Sequence, residues 1–148
     1  MISKELIQKL REVSGAGIIE CKKALEKNDF DFEKALAFLK KESQTKAEQK
    51  KERKTGAGLL ETYIHNQRVG VLLEMRTETD FVSRSTIFKQ LAHEIALQIA
   101  AMAPENPSEL LKQPYIKNET ITIADLINQT IAQVGENIRV ERFCRYEL

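Results

Sequence analysis

The fold turns on the stretch Leu59-Leu60-Glu61-Thr62-Tyr63-Ile64-His65-Asn66-Gln67-Arg68-Val69-Gly70-Val71-Leu72-Leu73-Glu74-Met75-Arg76. Leu59–Ile64 and Val69–Arg76 carry the aliphatic and β-branched residues of strands, and the polar His65–Arg68 between them suits a hairpin turn. In the second run Val69, Val71, Leu73 and Met75 alternate onto one face, while Leu72 falls on the other. A hairpin with one apolar face needs a cover, so the flanking segments are read for helices.

Downstream, Phe88, Leu91, Ala92, Ile95, Ile99 and Met102 recur at helical spacing and predict a long helix with one apolar side. Pro104, Pro107 and Pro114 then predict an irregular connection. Thr122 is placed to cap a helix carrying Leu126, Ile127, Ile131 and Val134, ended by Gly135. From Asn137 to Tyr146, Ile138, Val140 and Cys144 alternate with charged residues, which predicts a third strand. The sum is an α+β domain, a three-stranded antiparallel sheet covered by helices on one face.

Upstream, residues 1–42 read as three short helices. Leu6, Ile7, Leu10 and Val13 line the first, between a Ser3 cap and Gly15. Ile18, Cys21 and Leu25 face inward from the second, which Asn28 closes. Phe32, Ala35, Leu36 and Leu39 line the third, which Asp31 caps. Residues 43–56 contain one apolar side chain, Ala47, and read as a solvated linker, so the domain boundary is placed there. Residues 57–148 form the α+β core.

The chain has 148 residues, 42% apolar and 30% charged, within the range of one domain plus a small satellite. No apolar run reaches the roughly 18 residues of a membrane span, and Met1–Glu5 carries no signal-peptide core. Cys21 and Cys144 lie far apart and fit a reduced, cytoplasmic setting. Net charge is +1. Residues 1–55 carry 14 Lys/Arg against 10 Asp/Glu, and residues 56–148 carry 9 against 12. That mild asymmetry argues for protein contacts over a nucleic-acid footprint.

Few polar groups offer catalysis. His65 and His93 have no neighbouring ligand at metal-binding spacing. Cys21 lies on an inward stripe, and packing is also the first reading of Cys144, with an intersubunit contact as a second. Ser14-Gly15-Ala16-Gly17 follows a helix and lacks a phosphate-loop ending. Lys46–Lys54 is basic but has no aromatic residue to stack on a base. Neither a cofactor, a metal site nor a catalytic constellation is expected. Thr79-Asp80-Phe81-Val82 admits two readings. It is either a helix cap with Phe81 packed beneath, or a corner that presents Phe81 to a partner's pocket.

Four stretches, taken together, are similar to the elongation factor Ts family: Leu10–Gly17 (Leu-Arg-Glu-Val-Ser-Gly-Ala-Gly), Cys21–Leu25 (Cys-Lys-Lys-Ala-Leu), Thr79–Val82 (Thr-Asp-Phe-Val) and Gly135–Ile138 (Gly-Glu-Asn-Ile). They stand in the family's order and span nearly the whole chain. The resemblance implies that residues 1–42 are a ubiquitin-associated-like module and that the partner is the GTPase elongation factor Tu. Arg11, Gly15, Ile18 and Ile19 would then meet a helix of its GTPase domain. Ser14 stands where the family often has Thr, and Ile18 and Ile19 where it has methionines. Thr79, Asp80, Phe81 and Val82 would press near switch II, disturb the GTPase's magnesium site and promote GDP release.

With the chain ending at Leu148 and only the short connection Ala103–Pro114, the resemblance is to the compact form of the family, which pairs as a homodimer through its sheets. Leu60, Ile64 and Leu72, on the uncovered sheet face, agree with that. Two other classes remain open at this stage: a nucleic-acid module using Lys46–Lys54, and an adaptor that binds a GTPase without promoting exchange.

Overall fold

The computed structural model describes residues 3–148 and has three-stranded and two-stranded antiparallel sheets. Three helices open the chain: α1 (Lys4–Ser14), α2 (Ile18–Lys27) and α3 (Phe32–Lys50). The side chains of Ser3 and Asp31 cap α1 and α3, accepting the N–H groups of Leu6 and Lys34. Leu10, Cys21, Ala24, Leu25, Ala35 and Leu39 form a small buried cluster between the helices. Ile18 departs from the inward placement: it opens α2 at the turn and is 55% exposed.

Helix α3 does not stop where the composition turns polar. It continues to Lys50, so a boundary at residue 42 falls inside a helix. Ala47, the single apolar residue of the segment 43–56, is buried in the larger core of the sheet domain. A polar stretch has no apolar stripe to announce such packing, because one methyl group is too small a signal. The helix therefore belongs to both hydrophobic clusters, its first half to one and Ala47 to the other.

Strands β1 (Ala57–His65) and β2 (Val69–Thr77) form the expected hairpin, closed by the Arg68 N–H donating to the His65 carbonyl at 3.0 Å. Asn66 and Gln67 both take positive φ, 49° and 58°, within the three residues between the paired His65 and Val69. Next come α4 (Asp80–Ser83), α5 (Thr86–Met102) and α6 (Pro107–Lys112), then the short strands β3 (Pro114–Tyr115) and β4 (Asn118–Thr122). Helix α7 (Ile123–Val134) and strand β5 (Ile138–Glu147) complete the chain. The large sheet has the order β1-β2-β5, all antiparallel. Val71, Leu73 and Met75 face a core filled by Phe88, Leu91, Ile95 and Ile99 of α5 and Ile127 and Ile131 of α7.

Three further expectations differ from the structure. The connection 103–114 is not irregular throughout, since Pro107 opens α6 behind an Asn106 cap and Leu110 is buried. Met102 is half exposed, because the helix ends at Ala103 in the left-handed conformation. Cys144 does not share the face of Ile138 and Val140. The register slips between Glu74 and Met75, where Met75 pairs Val140 and Glu74 pairs Arg142. One extra residue reverses the alternation, so Phe143 turns toward the core and Cys144 lies exposed opposite Leu72. Beside this bulge β1 needs glycine, because a Cβ on Gly58 would stand 2.2 Å from the Met75 carbonyl oxygen.

Asn137 joins the two halves. Its buried side-chain amide donates to the carbonyls of Lys51 (3.3 Å) and Arg53 (3.0 Å), just past α3. Asn137→Ala strands both acceptors and is expected to lower the unfolding free energy by about 1–3 kcal/mol, read from urea unfolding. A change below about 0.5 kcal/mol would show that water replaces the amide.

Candidate functional site

The corner between β2 and α5 is built from the residue types at its ends. Thr79 is extended and caps α4, its hydroxyl oxygen accepting the Val82 N–H at 3.3 Å. Ser83 and Ser85 turn their hydroxyls back onto the carbonyls of Asp80 (3.0 Å) and Val82 (2.7 Å). Val82 is buried and pins the turn to the core, whereas Phe81, one residue earlier, is 86% exposed. A four-residue helix cannot hold both faces of an apolar pair inside. The buried position goes to Val82, and Phe81 is presented to solvent with Asp80 exposed beside it.

Outside the corner, Glu136 reaches back to it. Its carboxylate accepts the Thr79 N–H at 3.0 Å and the Thr79 hydroxyl at 2.7 Å. The single hydroxyl proton of Thr77 lies between Glu136 (3.1 Å) and the Asn137 carbonyl (3.0 Å). Arg53 adds an ion pair to Glu78 at 3.7 Å. Sequence reasoning placed Glu136 within a family motif but gave it no role. A contact across 57 residues of chain leaves no local signal.

The second set of expected residues lies at the α1–α2 turn. Gly15 ends α1 with φ 72°, and a side chain there would collide with the Gln133 amide. Ile18 and Ile19 follow at the start of α2, 55% and 69% exposed, and Arg11 is exposed on the last turn of α1. The Gln133 side-chain amide donates to the Gly15 carbonyl. The two sets are thus on separate elements, but one short piece of chain, Gln133–Glu136, is bonded to both.

Ion pairs hold the helical module to the sheet domain and to itself. Lys40 meets Asp125 at 3.3 Å, and Lys46 of α3 meets Glu20 of α2 at 2.9 Å. Burial alone would raise the Asp125 carboxyl, but the Thr122 N–H and Lys40 outweigh it and hold it below the ordinary 3.8. On the uncovered sheet face Leu60, Ile64, Leu72 and Tyr146 are exposed, and Glu74 lies between Arg76 (2.8 Å) and Arg142 (2.9 Å). Arg76 first, then Arg142, keeps its carboxyl below the ordinary range. His65 accepts or donates one bond with the Tyr63 hydroxyl at 2.9 Å, and His93 stands edge-on to the Tyr63 ring. Among the described residues no three His, Cys, Asp or Glu side chains gather as a metal site, and no helix is long and apolar enough to cross a membrane.

Fold and site together define a two-part α+β protein, a three-helix module seated on a sheet domain, with apolar side chains displayed on braced turns. The Elongation factor TS family matches residues 78–148, beginning at the corner itself. Elongation factor Ts of Thermotoga maritima is 41% identical over 191 aligned positions, covering 99% of this chain and 96% of that protein. The Coprothermobacter proteolyticus protein of the same name is 40% identical over 193, covering 99% and 98%. That of Rippkaea orientalis is 39% identical, covering 99% of this chain and 78% of its own. The chain belongs to the elongation factor Ts family. Because those alignments run well past 148 positions, the relatives carry residues that have no counterpart here.

The corner yields a stability prediction that exposure decides. Phe81→Ala removes little buried surface and is expected to change the unfolding free energy by less than about 0.5 kcal/mol, as at other exposed sites. A loss of about 3 kcal/mol or more in thermal or urea unfolding would mark Phe81 as a core residue in solution.

Proposed function

We propose that this protein is a guanine-nucleotide exchange factor of translation elongation, acting in the cytoplasm on the GTPase elongation factor Tu. The observation that carries the proposal is Phe81, a large apolar side chain displayed on a corner that is bonded from behind by Glu136. Membership of the elongation factor Ts family supports the choice of partner.

The mechanism is reciprocal coupling. A factor that binds best to the nucleotide-free shape of a GTPase weakens nucleotide binding by the same free energy. In this reading Phe81 enters a pocket of the GTPase near switch II, with Thr79 and Val82 fixing its approach. Asp80 brings a carboxylate beside the groups that organise the GTPase's magnesium shell. Arg11, Gly15, Ile18 and Ile19 form a second contact, on the GTPase domain, that holds the factor in place while the corner acts. The factor makes no covalent intermediate and needs no cofactor. Residues 1–42 serve as the docking module and residues 57–148 as the exchange core. The segment 43–56 passes between them.

Release of fluorescent GDP from elongation factor Tu tests the reading. Wild-type protein is expected to accelerate release, and Phe81→Ala to slow the accelerated rate roughly 30-fold, the effect of losing an anchor in a partner's pocket. Asp80→Ala should cost less. Stable binding to the GTPase with unchanged GDP release would make the protein an adaptor and refute the exchange reading.

The same reading makes the protein a homodimer through its uncovered sheet face, where Leu60, Ile64 and Leu72 lie exposed. An open apolar face on a three-stranded sheet favours a symmetric partner. Sedimentation at micromolar concentration should report twice the chain mass, and Leu72→Asp should return it to one. A wild-type monomer at that concentration rules out pairing through this face.

A further inference from the structure

We infer that Glu136 is a positioning residue for exchange: its carboxylate, held through Thr79, sets the conformation in which Phe81 is presented to the GTPase. The inference rests on the exchange reading above and extends it to a residue that touches neither nucleotide nor partner in that reading.

Helix α4 has four residues, Asp80–Ser83. A helix of one turn does not hold itself, since nucleation fixes several dihedrals for one hydrogen bond. Its shape must come from its ends. At the C-terminal end Val82 is buried, and the Ser85 hydroxyl bonds the Val82 carbonyl at 2.7 Å. At the N-terminal end the cap is Thr79, which lies exposed and has little packing of its own. Glu136 holds Thr79, its two carboxylate oxygens accepting the Thr79 backbone N–H at 3.0 Å and the Thr79 hydroxyl at 2.7 Å. The second bond has a further effect. By taking the Thr79 proton, Glu136 turns the hydroxyl lone pairs toward the Val82 N–H, 3.3 Å away. The cap is therefore oriented by the carboxylate, and Phe81 sits between the two positions, 79 and 82, that this short relay joins.

Glu136 is itself well anchored. It follows Gly135, the left-handed end of α7, and precedes Asn137, whose amide is bonded to the Lys51 and Arg53 carbonyls. Glu136 thereby links the end of α7 to the corner. Hydrogen bonds to a carboxylate are about twice as strong as neutral ones, so the two bonds from Glu136 are the strongest side-chain contacts Thr79 makes.

The test is a double-mutant cycle on the full chain. Fluorescent GDP release from elongation factor Tu is measured at saturating factor for wild type, Glu136→Ala, Phe81→Ala and the double variant, with a melting temperature for each. Glu136→Ala is expected to lower the saturated release rate roughly tenfold, the scale of losing a charge-assisted hydrogen bond. In the Phe81→Ala background the same change should cost less than about twofold, because coupled residues do not add.

Glu136→Gln leaves one oxygen to accept the Thr79 N–H and puts an NH2 group against the Thr79 hydroxyl. It should fall between wild type and alanine, and it replaces alanine in the cycle if the alanine variant melts below the assay temperature. Equal losses for Glu136 in both backgrounds, or no loss in either, overturn the positioning role while leaving Phe81 as the anchor. If Phe81→Ala itself releases GDP at the wild-type rate, the exchange reading falls and this inference falls with it.

Discussion

The joint Gly135-Glu136-Asn137-Ile138 is the constraint on which the arrangement depends. Four consecutive residues each bind a different part of the molecule. Gly135 ends α7 with its N–H on the Ile131 carbonyl. Glu136 holds the β2–α4 corner through Thr79. Asn137 holds the segment that follows α3. Ile138 is buried in the core and begins the strand that pairs with β2. Backbone polar groups that leave regular structure must find partners or lose free energy. Here one short turn supplies them for two distant segments at once, which ties the sheet, the displayed corner and the helical module to the end of one helix.

Helix α3 complements this joint. Its first half packs Ala35 and Leu39 among the three N-terminal helices, and its second half brings Ala47 to the main core. A small hydrophobic cluster and a larger one connected by a continuous helix move together more readily than two domains on a flexible tether. The Lys40–Asp125 and Lys46–Glu20 pairs lie along the same helix. Glu20 and Lys46 are both partly exposed, so that pair contributes little to stability, whereas Lys40 meets a buried Asp125 carboxylate. The effect of both pairs is on orientation. The Gln133 amide on the Gly15 carbonyl acts in the same sense, joining the α1–α2 turn to the helix that also carries the corner's support.

Apart from the open sheet face, the displayed apolar side chains Phe81, Ile18 and Ile19 sit where the chain reverses direction. Phe81 follows a strand end, and Ile18 and Ile19 follow a left-handed glycine. A turn leaves little room to bury successive residues, so one neighbour is taken inside and the other is left out. Val82 and Phe81 divide in this way. Such exposure costs the hydrophobic contribution of each side chain, about 1.5–3 kcal/mol apiece. A binding surface recovers that contribution when a partner covers it.

Much of the fold was legible in the residues themselves. Alternation along β2 and the polar turn before it announced the β1–β2 hairpin, apolar spacing announced α5 and α7, and Ser3, Asp31, Thr122, Gly15 and Gly135 marked helix ends by chemistry that acts within four residues. The Thr79–Val82 corner could be located in the same way. Its orientation could not, because the choice between Phe81 and Val82 for the interior depends on where the core lies. Local rules also failed at Cys144, where one unpaired residue opposite Glu74 and Met75 reversed the strand's faces, and at Ala47, a lone methyl that a distant core took up. The sequence by itself determined the β1–β2 hairpin, the third strand and the long helices, since these follow from short-range sterics and periodicity. It did not reveal α6, β3, β4 or the last turns of α3. Only the tertiary structure decided which side chains are displayed and what braces them: Glu136 meets Thr79 across 57 residues of chain, and no neighbour in sequence can specify a contact made by packing.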